Sequence, residues 1–278
     1  MIASPVPRES LLHVVKVLPA APQILAHLGR MLLDMNAGLS DVTDLLRRDA
    51  GLTARIIRVA NSSAYNQGTP AGSIVDALAR VGFKEVYRLT GFAALAQVSD
   101  QKLGLYHLSG AGLRENSLLT ALVMEDAAVA ASVDPRAAYT AGLLRSTGKI
   151  ALDRLFARNT AGYTSDDGAD LAAWETQFAG MHNCATAAII LKEWNFPEDL
   201  TAAIRDHYLL EPGADKLAHL LNLAAGEAHR AGHGLPGEAG FWDATPERHA
   251  AAGITPAELA KATARARTKF EVLRAVVG

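Results

Sequence analysis

Several features that would define a protein class are scarce in this sequence. Its 278 residues include one cysteine, Cys184, which excludes an internal disulfide framework and fits a reducing compartment. The formal net charge is −2, so no strong field draws the chain to nucleic acid or to an anionic membrane. Only 6% of the residues are aromatic, whereas 50% are hydrophobic. This composition favours packed helices over sheets.

Long apolar runs and a leader pattern are also missing. The first ten residues, MIASPVPRES, lack the basic and then apolar segments of a signal peptide. The most apolar stretches, such as Leu89–Val98, are far shorter than the roughly 20 residues that a membrane-spanning helix needs. We therefore expect a cytoplasmic protein without a membrane segment.

Hydrophobic residues recur with the period of a helix along nearly the whole chain. Ser40 and Ser73 can each cap a helix, and Gly82 interrupts the pattern that Ser73 begins. A capping box at residues 255–258 begins a final helix. The sequence therefore predicts an all-α protein.

Glycines between residues 104 and 112 interrupt the apolar pattern and mark a soft boundary. We predict an N-terminal helical subdomain over residues 10–108 and a helical bundle with a C-terminal helix over residues 109–278. The longest irregular segment is expected between Gly232 and Gly253.

Five segments carry a family signature in a fixed order. The N-terminal half contains Leu18-Pro19 with Pro22, then residues 45–66 (LLRRDAGLTARIIRVANSSAYN) and residues 73–89 (SIVDALARVGFKEVYRL). The C-terminal half contains residues 141–152 (AGLLRSTGKIAL) and residues 181–208 (MHNCATAAIILKEWNFPEDLTAAIRDHY). Together they resemble the HDOD domain, the HD-related output domain of bacterial signalling proteins. The resemblance implies a helical bundle of HD-domain type with an additional N-terminal helical subdomain.

The related HD superfamily comprises metal-dependent phosphohydrolases, including the HD-GYP cyclic-di-GMP phosphodiesterases. Their site needs a histidine, an adjacent His-Asp pair, further histidines and a distal aspartate around one or two divalent cations. Here Asn116 stands at the first histidine position, and Arg145-Ser146 replaces the His-Asp pair. Tyr208 stands where a second adjacent histidine would be, and Ala225 aligns with the distal aspartate.

The resemblance therefore implies that metal-dependent hydrolysis has been lost. Arg145 stays charged at any useful pH and would repel the cation that it displaced. We expect no metal, no other cofactor and no catalysis. A residual phosphohydrolase with an atypical metal site is the second alternative function.

The residues that remain at these positions form a candidate remnant pocket. Lys149 follows Arg145 by one helical turn, and two histidines match later histidine positions of the family. Such a pocket would be cationic and could accept a phosphate or a carboxylate, which makes a small-anion sensor the first alternative function. Its six residues are Asn116, Arg145, Ser146, Lys149, His182 and His207.

Two of the acidic and imidazole side chains have simpler interpretations. His207 shares a helical face with Leu200 and Ile204, so it can be an ordinary buried histidine. Asp126 lies within an apolar stripe and needs a donor or a cation. We expect structural pairing for Asp126, with Arg145 as the candidate partner.

Residues 40–61 could be read as a helix-turn-helix with exposed arginines, but the acidic net charge and the resemblance disfavour DNA binding. The adjoining signature ANSSAYN (residues 60–66) can cap the preceding helix and fix the loop. It is also the best candidate for part of an interaction surface. The candidate surface residues are Arg55, Arg58, Asn61 and Tyr65.

The resemblance implies a role in bacterial signal transduction through protein–protein interaction. The sequence contains no receiver, GGDEF or kinase domain, so its partners would be separate proteins. We expect a sensor kinase, a response regulator or a cyclic-di-GMP enzyme as the partner.

Overall fold

The computed structural model describes residues 8–17, 21–31, 38–62, 65, 68–99, 101–157, 162–164 and 170–277. These residues are mostly helical, and β-structure among them is limited to one antiparallel bridge between Leu103 and Leu108. The all-α prediction is confirmed. No helix in the described part of the chain is both long enough and apolar enough to cross a membrane.

The chain divides into two compact units. The larger unit consists of residues 1–18 and 99–270, and the smaller unit of residues 19–98 and 271–278. The division therefore falls after Val98, ten residues before the predicted boundary. Gly110, one of the glycines at that predicted boundary, serves close packing instead, because a Cβ at this position would overlap the backbone carbonyl of Ser99.

The smaller unit is built on one long helix. This helix, α5 (Ile74–Val98), contacts α2 (Ala21–Met31), α3 (Leu39–Leu46) and α4 (Ala50–Ala60). α5 bends at Gly82, which has a φ of 79°, as the sequence pattern predicts.

The helix caps of the smaller unit agree with the sequence in part. Ser73 caps α5, because its Oγ accepts a hydrogen bond from the backbone N–H of Asp76 at 3.1 Å. The expected cap at Ser40 is wrong, because α3 already begins at Leu39. Gly38 precedes this helix, and its N–H donates to Asp41 Oδ2 at 2.8 Å.

The larger unit contains the remaining helices. They are α1 (Arg8–Val17), α6 (Gly110–Ala128), α7 (Pro135–Leu144), α8 (Thr147–Leu155), α9 (Leu171–Ala179), α10 (Asn183–Glu193), α11 (Glu198–Asp206), α12 (Lys216–Ala228), α13 (Pro246–Ala252) and α14 (Pro256–Val277). The part of α14 from Glu271 onward is assigned to the smaller unit. α6 packs along α7 and α12, and α10 packs along α8 and α11. α1 contacts α8 and α10, which explains why it belongs to this unit rather than to an N-terminal subdomain.

Two glycines bring the central helices of the larger unit into backbone contact. A Cβ on Gly142 of α7 would lie 2.7 Å from the Cα of Ala121 on α6. A Cβ on Gly148 of α8 would lie 2.7 Å from the carbonyl carbon of Asn183 at the start of α10. The residues between these glycines therefore lie deep in the unit, where every charged group needs a partner.

The predicted irregular segment between Gly232 and Gly253 is only partly irregular. Its last residues form α13, which Thr245 caps by accepting from the Arg248 N–H at 3.3 Å. Before α13, a π-turn at His229–His233 and a 3₁₀ turn at Ala239–Phe241 flank a short loop with a turn at Pro236-Gly237. We call residues 233–242 the strap.

We predict that Gly148→Ala lowers the free energy of unfolding by about 3 kcal/mol, because the new methyl group overlaps backbone that cannot move aside. Gly104→Ala is the matched control, since a Cβ at this exposed position meets no atom within 4 Å. Urea unfolding of both variants checks the prediction. Equal stability of the two variants would mean that α8 and α10 do not approach this closely.

Candidate functional site

The six residues of the predicted remnant pocket lie at the junctions of the central helices. Asn116 lies on α6, Arg145 and Ser146 occupy the step from α7 to α8, and Lys149 lies in the first turn of α8. The two histidines are at helix ends, His182 before α10 and His207 after α11. All except His182 are buried.

The centre of the site is a carboxylate that the sequence analysis did not select. Glu238 of the strap is 0% exposed, and its Oε2 accepts a hydrogen bond from Arg145 Nη2 at 2.8 Å. The same Nη2 donates to Asn116 Oδ1 at 2.5 Å. Glu238 Oε1 lies 3.3 Å from Lys149 Nζ and accepts a hydrogen bond from the Tyr208 hydroxyl. Glu238 therefore binds two cations and a phenol at once.

Asp126 does not pair with Arg145, which corrects the sequence-based expectation. Its Oδ1 lies 2.6 Å from Nζ of Lys269 on α14, and its backbone carbonyl accepts from Arg265 at 3.3 Å. The apolar stripe on α6 indicated that Asp126 is partly buried. A helical pattern does not indicate which residue of another helix lies opposite the buried side chain. The pairing of Asp126 is structural, as expected, with a different cation.

Lys149 is shared between two buried carboxylates. Its Nζ lies 4.0 Å from Glu175 Oε1 and 4.7 Å from the ring centre of Tyr106, in cation–π contact. Glu175 itself accepts from the Tyr106 hydroxyl at 2.8 Å and from Asn183 at 2.7 and 2.9 Å. Two cations thus face two carboxylates, so the buried cluster carries no net charge.

The charges of the cluster fix the protonation of its members. Burial alone would raise the pKa of Glu238, but the charges of Arg145 and Lys149, with hydrogen bonds from Arg145 and Tyr208, outweigh burial and lower this pKa to about 2. Burial raises the pKa of Tyr208 well above its usual value, and the charge of Glu238 raises it further. Glu238 is therefore ionised and Tyr208 neutral at neutral pH.

His207 is a neutral imidazole. Burial and the neighbouring charge of Arg145 lower its pKa to about 3. Its Nδ1 lies 2.7 Å from the carbonyl oxygen of Ile204, so Nδ1 carries the proton and donates. The simpler interpretation from the sequence, a buried histidine bonded to a neighbour, describes this residue.

The six residues come together, but not as an open cationic pocket. Arg145 and Lys149 are each 0% exposed, and the carboxylates of Glu238 and Glu175 balance their charge. The prediction of an unoccupied positive site is therefore wrong in this form. It failed because Glu238 lies 93 residues beyond Arg145 in the sequence, within a segment that has no helical pattern.

The residues present also do not fit a divalent metal ion. Within the described ranges no group of three or more His, Cys, Asp or Glu side chains is arranged to hold one. Arg145 places a fixed positive charge in the centre of this group of residues, and the alanine side chain of Ala225 on α12 offers no donor.

Side chains from several helices fasten the strap over this cluster. Asn116 Nδ2 donates to the carbonyl of His233 at 2.6 Å, and Asn222 Nδ2 donates to that of Phe241 at 2.8 Å. The Phe241 ring stacks on Tyr208, with ring centres 4.3 Å apart. Asn116, which the sequence analysis placed in the remnant pocket, thus holds the backbone of the strap.

The predicted interaction surface divides into two kinds of residue. Asn61 closes the loop after α4 with two hydrogen bonds to the backbone of Ala71, at 2.9 and 2.6 Å. The Tyr65 hydroxyl donates to Glu85 at 2.5 Å. Arg55 is half-buried and Arg58 exposed, and within the described ranges neither forms a hydrogen bond or ion pair. Asn61 and Tyr65 therefore fix the loop, and only the arginines remain available to another molecule.

Comparison with known proteins identifies the family of this site. The sequence profile of the HDOD domain matches residues 18–210. The chain belongs to the HDOD domain family. This assignment agrees with the resemblance of the five sequence segments, and it covers every residue of the cluster except the strap and its Glu238.

Solved structures of other bacterial proteins share this HDOD fold. An HDOD domain protein of unknown function from Geobacter sulfurreducens has a TM-score of 0.71 at 22% identity, with 98% of both chains covered. A provisionally named signal transduction protein from Marinobacter aquaeolei VT8 has a TM-score of 0.73 at 21% identity, with 98% of this chain and 65% of that one covered. A provisionally named phosphohydrolase from Shewanella amazonensis SB2B has a TM-score of 0.69 at 22% identity, with 97% and 98% covered. These likenesses establish the fold.

A curated relative is longer than this chain. An uncharacterized protein of Treponema pallidum (strain Nichols) is 20% identical over 215 residues, which is 75% of this chain. The chain spans 41% of the length of that relative.

We predict that Glu238→Gln lowers the free energy of unfolding of this HDOD chain by about 3 kcal/mol, because it leaves a buried positive charge without its counterion. Glu198→Gln is the control, since Glu198 pairs with Lys192 at 3.6 Å on the surface, where both side chains are at least 70% exposed. This change should cost at most about 0.5 kcal/mol. Denaturant unfolding at pH 7 checks both values, and similar losses would contradict the buried ion pair.

We predict that stability falls as the pH decreases from 6.5 to 5. In this window an unfolded His207 binds a proton, whereas the folded imidazole, with its pKa of about 3, stays neutral until far lower pH. The folded state therefore loses about 1 kcal/mol of stability per pH unit through this group in this window, because the unfolded imidazole is already half protonated at its pKa of 6.5. His207→Asn should flatten the dependence by this amount. Unfolding of wild type and variant at both pH values checks it, and unchanged pH dependence would contradict a neutral His207.

Proposed function

We propose that this chain is a non-catalytic signalling module that acts through contacts with separate proteins. One observation carries the proposal: the guanidinium of Arg145, which the sequence resemblance aligns with a metal-ligand position of the HD hydrolases, is ion-paired at 2.8 Å with a fully buried carboxylate. Metal-assisted hydrolysis requires a cation that binds water and phosphate. The Arg145–Glu238 pair offers neither an open coordination position nor a group that could activate water.

The names of the structural relatives include both candidate functions. The Marinobacter protein is provisionally named for signal transduction and the Shewanella protein for phosphohydrolysis. Their common fold does not decide between them for this chain, because fold and chemistry are separable. The composition of the site favours signalling, since the positive charges of Arg145 and Lys149 disfavour the binding of a divalent cation.

The partner contact is proposed to involve the exposed face of α4. Arg55 and Arg58 are three residues apart, so they lie on one side of this helix. Asn61 and Tyr65, after the end of this helix, are bonded to Ala71 and Glu85. A helix face with available cations suits an acidic surface on a sensor kinase, a response regulator or a cyclic-di-GMP enzyme.

A binding screen against the signalling proteins of the same genome tests this proposal. We predict that the Arg55→Glu, Arg58→Glu double variant binds its partner at least about tenfold more weakly, because like charges replace opposite ones across the contact. Arg267→Glu is the control, since Arg267 is an exposed arginine on α14. Its binding should remain unchanged. Thermal unfolding must show that all three proteins are equally folded.

Turnover is measured on the same preparations. The wild-type chain, supplied with Mn²⁺ or Mg²⁺, should hydrolyse neither bis-p-nitrophenyl phosphate nor cyclic di-GMP above the rate of the metal in buffer. Hydrolysis that Arg145→Ala abolishes would overturn the non-catalytic assignment. Partner binding that tolerates the double charge reversal would instead reject the α4 surface.

A further inference from the structure

The buried cluster has the composition of a carboxylate-binding site. Arg145 donates to one oxygen of Glu238, while Lys149 and the Tyr208 hydroxyl approach the other. These three groups come from different parts of the helical bundle: the end of α7, the first turn of α8 and the residue pair after α11. Charged and hydroxyl donors that converge on two oxygens are the usual means of holding a carboxylate.

The carboxylate itself comes from outside these helices. Glu238 lies in the strap between Gly237, whose φ is 77°, and the 3₁₀ turn at Ala239–Phe241. The strap is also fastened without Glu238, through Asn116 to the His233 carbonyl and through Asn222 to the Phe241 carbonyl. The donors thus belong to the helical bundle and the Glu238 carboxylate belongs to the strap. Hydrogen bonds hold the strap at His233 before Glu238 and at Phe241 after it.

The charge of the site admits one monoanion. Arg145 and Lys149 supply two positive charges, and Glu175, which is held by Tyr106 and Asn183, supplies one negative charge. A single carboxylate makes the cluster neutral. A phosphate dianion would leave one negative charge in excess in a region without solvent to compensate it.

We propose that Arg145, Lys149 and Tyr208 form a carboxylate receptor, and that Glu238 is a tethered ligand that occupies it. The receptor binds small monocarboxylates when the Glu238 side chain is absent. In the wild-type chain the tether keeps the site occupied, because a ligand on the same chain competes at a high effective concentration.

Replacement of Glu238 by alanine tests the receptor directly. The substitution removes one methylene and one carboxylate, which are the atoms of acetate apart from one hydrogen. In Glu238→Ala, 100 mM sodium acetate should raise the Tm by about 3 °C or more over 100 mM sodium chloride, as expected for a ligand present well above its Kd. Benzoate, which is too large for the vacated volume, should give no such rise.

Two controls separate binding in the site from a general salt effect. Glu238→Gln fills the same volume without charge and should not respond to acetate beyond chloride. Wild type should not respond either, because its site is occupied. Where Glu238→Ala unfolds in chloride, refolding in acetate, followed by circular dichroism, replaces the Tm as the measurement.

Several outcomes would overturn the receptor. They are equal effects of acetate and chloride on Glu238→Ala, an equal response of Glu238→Gln, and failure of Glu238→Ala to fold in either salt. None of these measurements involves a partner protein or turnover, so their result is independent of the signalling proposal.

Discussion

The buried ion pair between Arg145 and Glu238 is the constraint around which the larger unit is arranged. Both side chains are 0% exposed, so neither charge can be solvated by water. A buried pair of this kind adds little net stability over apolar packing, but loss of one partner is expensive. The pair therefore constrains the folded state: when the central helices pack together, the strap must place Glu238 beside Arg145.

The remainder of the cluster follows from that requirement. Lys149 brings a second charge to the same carboxylate, and Glu175 balances it from the middle of α9. The close approach of the helices at Gly142 and Gly148 excludes water from this region and so makes full pairing necessary. His207 remains neutral beside Arg145 for the same reason, because a third positive charge there would have no counterion.

This arrangement joins several parts of the larger unit at one point. Glu238 connects α7, α8 and the end of α11 through Arg145, Lys149 and Tyr208. The cross-link is a carboxylate held by two cations and a phenol. The proposed signalling role is compatible with this cross-link, since it requires a stable scaffold and no reactive centre.

The sequence by itself determined the helical class, the family and the identity of the unusual residues. Periodicity and caps such as Ser73 act over a few residues, so they can be read directly from the chain. The long ordered motifs located Asn116, Arg145 and Lys149 in one region, and the structure places them there. The division of the chain into units was harder to predict from the sequence. A glycine such as Gly110 can indicate either a linker or a close contact between segments, and the sequence does not distinguish the two.

Only the tertiary structure decided what these residues bind. Arg145 pairs with Glu238, 93 positions away, while Asp126, which seemed a suitable partner from its helical face, pairs with Lys269. Periodicity indicates that a side chain is buried, but it does not identify what lies opposite. The charge balance of the site depends on a strap without a regular pattern, and its path is fixed by hydrogen bonds from distant helices to its backbone. The sequence thus predicted a positively charged pocket, whereas the structure has a cluster of paired charges.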